Sequence, residues 1–225
     1  MKKIRLLAAF ALFFFIFIFQ LSGKDTKLNN CCSTSEVPLS AELVRPLLPG
    51  ARVPSLTLST FDKKDFETTV ELAKKPTILI FYRGGWCPFC NLHFGQLQKV
   101  ESDLKALGFQ IVAISPDIPE GLNKTAVKEK LGYTLLSDSS MSLAKAFGIA
   151  FKVDDPTIEK YKGYGINLES ASGQNHHLLP VPSVFIIGQD LRVDFSYVNP
   201  DYKIRLSPEV LLAAAQAYIK RTEKK

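Results

Sequence analysis

The feature that most constrains this chain is residues 77–91, where an unbroken apolar run passes through two glycines into a pair of cysteines. Ile78, Leu79, Ile80, Phe81 and Tyr82 are apolar at every position, as expected of a strand buried on both faces. Gly84 and Gly85 free the backbone for a tight turn. Cys87 then opens a helix, with Pro88 in its first turn where a missing N–H costs little. Two thiols therefore stand at a helix N-terminus. The unpaired N–H groups and the dipole there favour negative charge, so a thiol at that place loses its proton more readily than a free one. The spacing puts Cys90 about one turn below Cys87, within reach of a disulfide that can form and be attacked again. The alternatives are two structural cysteines or half of a zinc site. Zinc wants a second short-spaced pair, and neither Cys31-Cys32 nor His176-His177 has that spacing.

With 46% hydrophobic residues in 225, the chain holds enough apolar material for one substantial core, so one domain is expected. Residues 1–23 stand apart from it. Lys2, Lys3 and Arg5 precede fourteen uninterrupted apolar residues, Leu6 to Phe19, then Gln20, Leu21, Ser22 and Gly23. That length suits a secretory apolar region and falls short of the roughly eighteen residues needed to span a bilayer. We expect a signal peptide or an uncleaved N-terminal anchor, and a protein exported to the periplasm or cell envelope, with membrane contact only if the leader is retained. Six of the sixteen Phe belong to this leader, and so does half of the +6 net charge, leaving about +3. A balance that weak gives no reason to expect nucleic acid.

Residues 24–49 are polar and rich in Ser, Asn and Pro, and read as a linker ending in a short helix over 41–48. Cys31 and Cys32 fall within it, either as an incidental or intermolecular pair or as a second redox relay. The domain is expected over 50–225, with an early strand at 53–58 and a turn and short helix at 61–72. In the Cys helix Phe94, Leu97, Val100, Leu104 and Leu107 recur at three and four, one apolar face, with Gly108 placed to end it. His93 reads as an exposed helix residue. Further on come a strand at 109–115, a helix at 119–131, a strand at 134–136 and a helix at 141–147. Residues 151–179 break this rhythm and read as an inserted loop with a short helix near 158–162, beside the active site. Residues 184–187 and the alternating Leu191, Val193, Phe195 and Tyr197 form a hairpin. The last helix has Ser207 as its N-cap and Pro208 in its first turn. The pattern predicts an α/β domain: a central mixed β-sheet flanked by helices, its first strands parallel.

A strand ending in Cys-x-x-Cys on a helix, then β-α units, then a hairpin preceded by Val181-Pro182, resembles the thioredoxin fold. The resemblance implies a cis peptide bond at Pro182, packed against the Cys pair. Within that fold, residues 53–218 resemble the peroxiredoxin-like branch of the alkyl hydroperoxide reductase and thiol-specific antioxidant family. The likeness rests on Phe81 through Cys90, on Leu136-Ser137-Asp138 before Ser142 to Gly148, and on Tyr197-Val198-Asn199-Pro200-Asp201-Tyr202. The chain departs from the family pattern in two places. Counted in the peroxiredoxin register, Cys90 is the peroxidatic thiol and Cys87 stands where a Thr or Ser hydroxyl belongs. The family's active-site Arg falls where Val181-Pro182 stands, and Arg83 is the candidate replacement. Thioredoxin logic instead makes Cys87 the exposed attacker, flanked by Trp86, and Cys90 the resolving thiol.

The resemblance implies a thiol peroxidase that needs no cofactor, acts on peroxides and is reset by a dithiol reductant such as a thioredoxin-like protein. The first alternative is a thiol–disulfide oxidoreductase acting on protein disulfides. The second is a copper carrier using Cys87, Cys90 and His176 or His177.

Overall fold

Every residue of the strand β3 (Thr77–Phe81) is buried, and this strand is the axis of the molecule. The computed structural model describes residues 36–129 and 131–223, so the leader and Cys31-Cys32 lie outside the described residues. Among the described residues no helix is long and apolar enough to cross a membrane. β3 pairs in parallel with β4 (Gln110–Ser115), which pairs in parallel with β5 (Thr134–Ser137). On its other side β3 is antiparallel to β8 (Ser183–Ile187), the first arm of a hairpin with β9 (Val193–Val198). β1 (Thr57–Thr60) and β2 (Asp65–Glu67) complete a seven-stranded sheet in the order β2-β1-β5-β4-β3-β8-β9. The sheet is mixed and flanked by helices, as expected, but β1 runs antiparallel to β5, so the parallel pairing is confined to β3, β4 and β5.

The two-residue period of the strands divides the core. Leu79, Phe81, Val112, Ile114, Phe185 and Ile187 face one side, where they meet Met141, Leu143 and Phe147 around α4 (Ser142–Ala146). Ile78, Ile80, Tyr82, Ala113, Val184 and Ile186 face the other, under the Cys helix α2 (Pro88–Ala106) and the C-terminal α7 (Pro208–Thr222). Phe94, Leu97, Val100 and Leu104 of α2 are buried there, and Phe94 meets Tyr82 edge to face with ring centroids 4.9 Å apart. Gly108, at φ +90°, turns the chain after α2.

Three predicted segments take a different form. The first strand starts at Thr57, and residues 61–72 hold a turn, β2 and the short α1 (Thr68–Glu71), because Leu58 and Phe66 pair across a hairpin and bury together. Residues 37–49, expected as linker, pack on the domain: Val37, Ala41, Val44 and Leu47 lie against the core, and Arg45 and Leu47 N–H groups bond the carbonyls of Gly148 and Phe147. The expected helix at 41–48 is one 3-10 turn, Ala41–Leu43. The inserted loop is itself folded. β6 (Ala150–Lys152) and β7 (Leu178–Pro180) form a small antiparallel ribbon, and between them stand α5 (Asp155–Gly163) and α6 (Leu168–Ser172), whereas α3 (Pro119–Glu129) comes earlier, between β4 and β5. Val153, Ile158, Leu168 and Leu179 give the insert its own apolar cluster, with Trp86 and Tyr161 against it. Asp154 caps α5 by accepting the Thr157 N–H at 2.8 Å.

Candidate active site

Gly84 and Gly85 bring the chain from β3 to α2, and both must be glycine. Gly84 has φ +145°, and a Cβ there would strike the Trp86 indole nitrogen; one on Gly85 would strike Thr125 Oγ1. The Gly85 N–H donates to Asp117 Oδ2 at 2.7 Å, which ties the turn to the loop after β4. Burial above all pushes the Asp117 carboxyl up to about 6, and the neighbouring Cys87 adds to the rise. The turn leaves Cys87 at the N-cap of α2 with Pro88 at the first helical position and Cys90 in the first turn.

Both sulfurs are buried, each residue 1% exposed. The expectation that Cys87 is the approachable member of the pair is therefore corrected: Tyr161 and Tyr202 close over Arg83 beside it, which a reading of neighbours in sequence could not register. An arginine stands against each thiol, so hydrogen bonding and burial are what distinguish them. Arg83 Nη1 lies 3.9 Å from Cys87 Sγ and Arg205 Nη2 lies 3.4 Å from Cys90 Sγ. A hydrogen bond from the Cys90 thiol, then the Arg83 charge and the Cys90 backbone N–H, pull Cys87 down to about 6 against the cost of burial. Burial, together with donation to Cys87, pushes the Cys90 thiol well up. The pair therefore shares one negative charge, held on Cys87. The thiolate ultraviolet absorbance that a Cys87→Ser substitution removes from the reduced protein should accordingly rise through pH about 6 and stay level to about 8, one thiolate per chain. A midpoint near the free-thiol value of about 8.5 would show that Arg83 and the helix start do not act on this sulfur.

Arg83 is almost fully buried, its guanidinium 4.1 Å from the Tyr202 ring centre and 5.2 and 5.3 Å from those of Trp86 and Tyr161. Its Nη2 donates to the Tyr161 hydroxyl, and its Nε has no hydrogen-bond partner. A cavity of about 220 Å³ opens over this group, lined among others by Phe151, Tyr161, Pro182 and Tyr202. Another cavity, about 440 Å³, lies beyond Trp86 against Gly85, Asp117 and α3, and neither cysteine lines it or the cavity over Arg83.

The Val181–Pro182 bond is trans, since no cis peptide occurs among the described residues. That corrects the expectation drawn from the thioredoxin resemblance. The trans form of an X-Pro bond is favoured by about 0.5–1 kcal/mol, and Pro182 here enters β8 directly, with the Ser183 hydroxyl donating to the Val181 carbonyl at 2.7 Å. His93 is buried on the inner face of α2, with Nε2 3.2 Å from the Leu206 carbonyl oxygen, so it is not the exposed helix residue expected. Burial and then Arg205 hold its imidazole down near 4 and keep it neutral. His176 Nε2 pairs with the Ser139 carbonyl and His177 Nε2 with Glu169, away from the sulfurs. Among the described residues no group of three or more His, Cys, Asp or Glu is gathered, so the copper-carrier alternative lacks its third ligand.

The sequence profile of the AhpC/TSA family matches residues 49–196. The chain belongs to the AhpC/TSA family. A putative peroxiredoxin Bcp of Haemophilus influenzae is 32% identical to this AhpC/TSA protein over 106 residues, which cover 47% of this chain and 68% of the relative. Peroxiredoxin Bcp of Escherichia coli is 30% identical over 106 residues, 47% of this chain and 67% of its own. Among solved structures, the peroxidoxin BcpB of Mycobacterium tuberculosis matches with a TM-score of 0.58 at 21% identity, covering 75% of this chain and 96% of its own. The reduced Prx3 of Vibrio vulnificus in complex with hydrogen peroxide matches with a TM-score of 0.63 at 20% identity, covering 76% and 98%. At such identities these structures speak for the fold, which is thioredoxin-like. With its peroxiredoxin relatives, this AhpC/TSA protein is an oxidoreductase of the thiol-dependent peroxidase kind.

The structure brings Arg83, Trp86, Cys87 and Cys90 together, with Pro182 on the rim of the same cavity. Sequence reasoning missed Arg205, Tyr161, Tyr202 and Asp117 as members of the site. Arg205 lies 115 residues from the sulfur it touches, in the loop before α7, and Tyr161 comes from the insert. No local spacing links either to the cysteines. Tyr202 did belong to one of the segments that carry the family likeness, which was the single available signal.

Proposed function

We propose that Cys87 is the thiol that attacks the peroxide, that Cys90 resolves it within the same chain, and that hydrogen and alkyl hydroperoxides are the substrates. The observation that carries this reading is the Arg83 guanidinium, 3.9 Å from Cys87 Sγ with an unpartnered Nε, at the base of a cavity of about 220 Å³. The Cys87 thiolate attacks the terminal peroxide oxygen, the O–O bond breaks, and the departing oxygen takes up a proton as water or alcohol. Arg83 donates to the peroxide as charge builds on that oxygen. Cys87 is left as a sulfenic acid. The Cys90 sulfur attacks it, the S–O bond breaks, water leaves with the Cys90 proton, and a Cys87–Cys90 disulfide forms. Two thiols of a reductant, of which a thioredoxin-like dithiol is the expected kind, return the pair to its reduced state.

Disulfide exchange on protein disulfides fits less well, because the cavity of about 220 Å³ at Arg83 suits a small peroxide better than a segment of another protein. Peroxide consumption with a dithiol reductant, measured beside insulin reduction, tests this. Turnover of peroxide with slow insulin reduction is expected, and the opposite ranking overturns the proposal. The basic start and fourteen-residue apolar run of the leader support export to the cell envelope. A mature N-terminus near Lys24, or membrane-bound protein retaining Met1, is the expected finding, and full-length protein in the cytosolic fraction overturns it.

A further inference from the structure

A third cavity, about 340 Å³, is bounded by Phe89 and His93 of α2, by Lys203 and Arg205, and by the start of α7. Three side chains on its wall are cationic, Lys99, Lys203 and Arg205, against one anion, Glu209. His93 is held neutral. The cavity is thus net positive, and it is of the size that suits a small ligand. Arg205 links it to the chemistry. Its Nη2 touches Cys90 Sγ at 3.4 Å while the side chain lines the cavity, so Cys90 lies one side-chain layer beneath the cavity wall. The Arg205 Nε is buried with no hydrogen-bond partner. An unpaired Nε–H beside an Nη–H is the half of the guanidinium fork that a carboxylate fills with two parallel hydrogen bonds.

We propose that this cavity is the entry site for a small reducing thiol that carries carboxylates, and that such a thiol attacks the Cys87–Cys90 disulfide at Cys90. The inference rests on the reading that the catalytic disulfide joins these two residues. Its carboxylate pairs with Arg205 and draws that side chain off the sulfur, while Lys99 and Lys203 hold the ligand's remaining negative charge. The external thiolate bonds to Cys90 Sγ, the Cys87–Cys90 bond breaks, and Cys87 departs as the thiolate that Arg83 stabilises. A second thiolate attacks the external sulfur of the mixed disulfide, releasing the low-molecular-weight disulfide, and Cys90 takes a proton. Two thiols are oxidised for one protein disulfide reduced. The direction of attack follows from leaving-group chemistry, because the more acidic thiol leaves faster and Cys87 is the more acidic of the pair. Peroxide and reductant then use separate doors: Arg83 guards the first at Cys87, and Arg205 guards the second at Cys90.

The test uses the full-length chain carrying Cys31→Ser and Cys32→Ser, oxidised with diamide, which makes the Cys87–Cys90 disulfide without peroxide. Reduction is followed through Trp86, the single tryptophan, with reduced glutathione, neutral 2-mercaptoethanol and cationic cysteamine as the probes. Per thiolate, glutathione should be faster than cysteamine by about tenfold or more, and added salt should shrink the gap. The Lys99→Gln, Lys203→Gln variant should lose most of that advantage while its rate with 2-mercaptoethanol stays within about twofold. After one equivalent of glutathione and an acid quench, peptide mapping should find the adduct on Cys90. Equal rates for the three thiols, an adduct on Cys87, or reduction only by a protein dithiol would each overturn the inference. Failure of the peroxidase reading would show separately, as absent peroxide consumption in a chain whose disulfide is still reduced in this way.

Discussion

Replacing Cys87 with serine should reduce peroxide consumption to background, whereas Cys90→Ser should keep the first oxidation and lose the turnover. Loss of the attacking atom of an enzyme removes nearly all of its rate, on the order of 10⁴-fold or more. Cys87 qualifies because the negative charge of the pair resides on it, lowered to about 6 by the Cys90 thiol, Arg83 and the helix start, while burial pushes Cys90 well up. At neutral pH Cys87 is therefore mostly thiolate and Cys90 mostly thiol. A serine at position 90 can still donate a hydrogen bond to Cys87, so the first step should stay within about tenfold of the parent rate. Dimedone labelling with mass spectrometry reads the result directly: one stable sulfenic acid at Cys87 in the Cys90→Ser chain, none in Cys87→Ser. The reverse pattern would establish the peroxiredoxin register, in which the cysteine three residues into the helix does the attacking. It would also mean that position in the helix outweighs the electrostatics of the pair.

Arg83→Met should slow the reaction with hydrogen peroxide at pH 7 by about 10²-fold or more, through two separable effects. The first is ionisation. A neighbouring guanidinium lowers an acid by about one to three units, so its loss moves Cys87 up from about 6 toward 8 and cuts the thiolate fraction at neutral pH about tenfold. Raising the pH recovers this part. The second effect is donation to the departing oxygen in the transition state. An oriented donor of that kind is worth about 10²-fold in rate, and higher pH does not restore it. A stopped-flow pH profile separates the two, the plateau at high pH measuring the second. Arg83→Lys keeps the charge and loses the planar fork that meets Cys87, Tyr161 and the aromatic rings together, so its plateau should fall between the two. If the Arg83→Met plateau equals the parent's, Arg83 only sets the thiolate fraction, and the donor to the peroxide must be another group.

Residues 77–91 determined the centre of this protein without help from the rest of the chain. An all-apolar strand, a Gly84-Gly85 turn and Cys87 ahead of Pro88 are local instructions, and each acts within one turn or one strand. The thiols at the helix start, the strand buried on both faces and the apolar stripe of α2 follow from that spacing. The two-period strands and the Ser207-Pro208 cap of α7 were legible for the same reason. Only the tertiary structure decided what surrounds the sulfurs. Arg205 reaches Cys90 across 115 residues of chain, and Tyr161 reaches Arg83 across 78. No periodicity spans such a distance, because loops carry no repeat and the insert that supplies Tyr161 gains its order by burying Ile158, Leu168 and Leu179 together. Exposure was misjudged on the same ground. His93 and Cys87 have neighbours in sequence that leave them open, but α7 and its entry loop cover one and the tyrosines over Arg83 cover the other. The sequence placed two thiols at the start of a helix; the fold set an arginine against each, and the hydrogen bond between the thiols and the burial of Cys90 put the charge on Cys87.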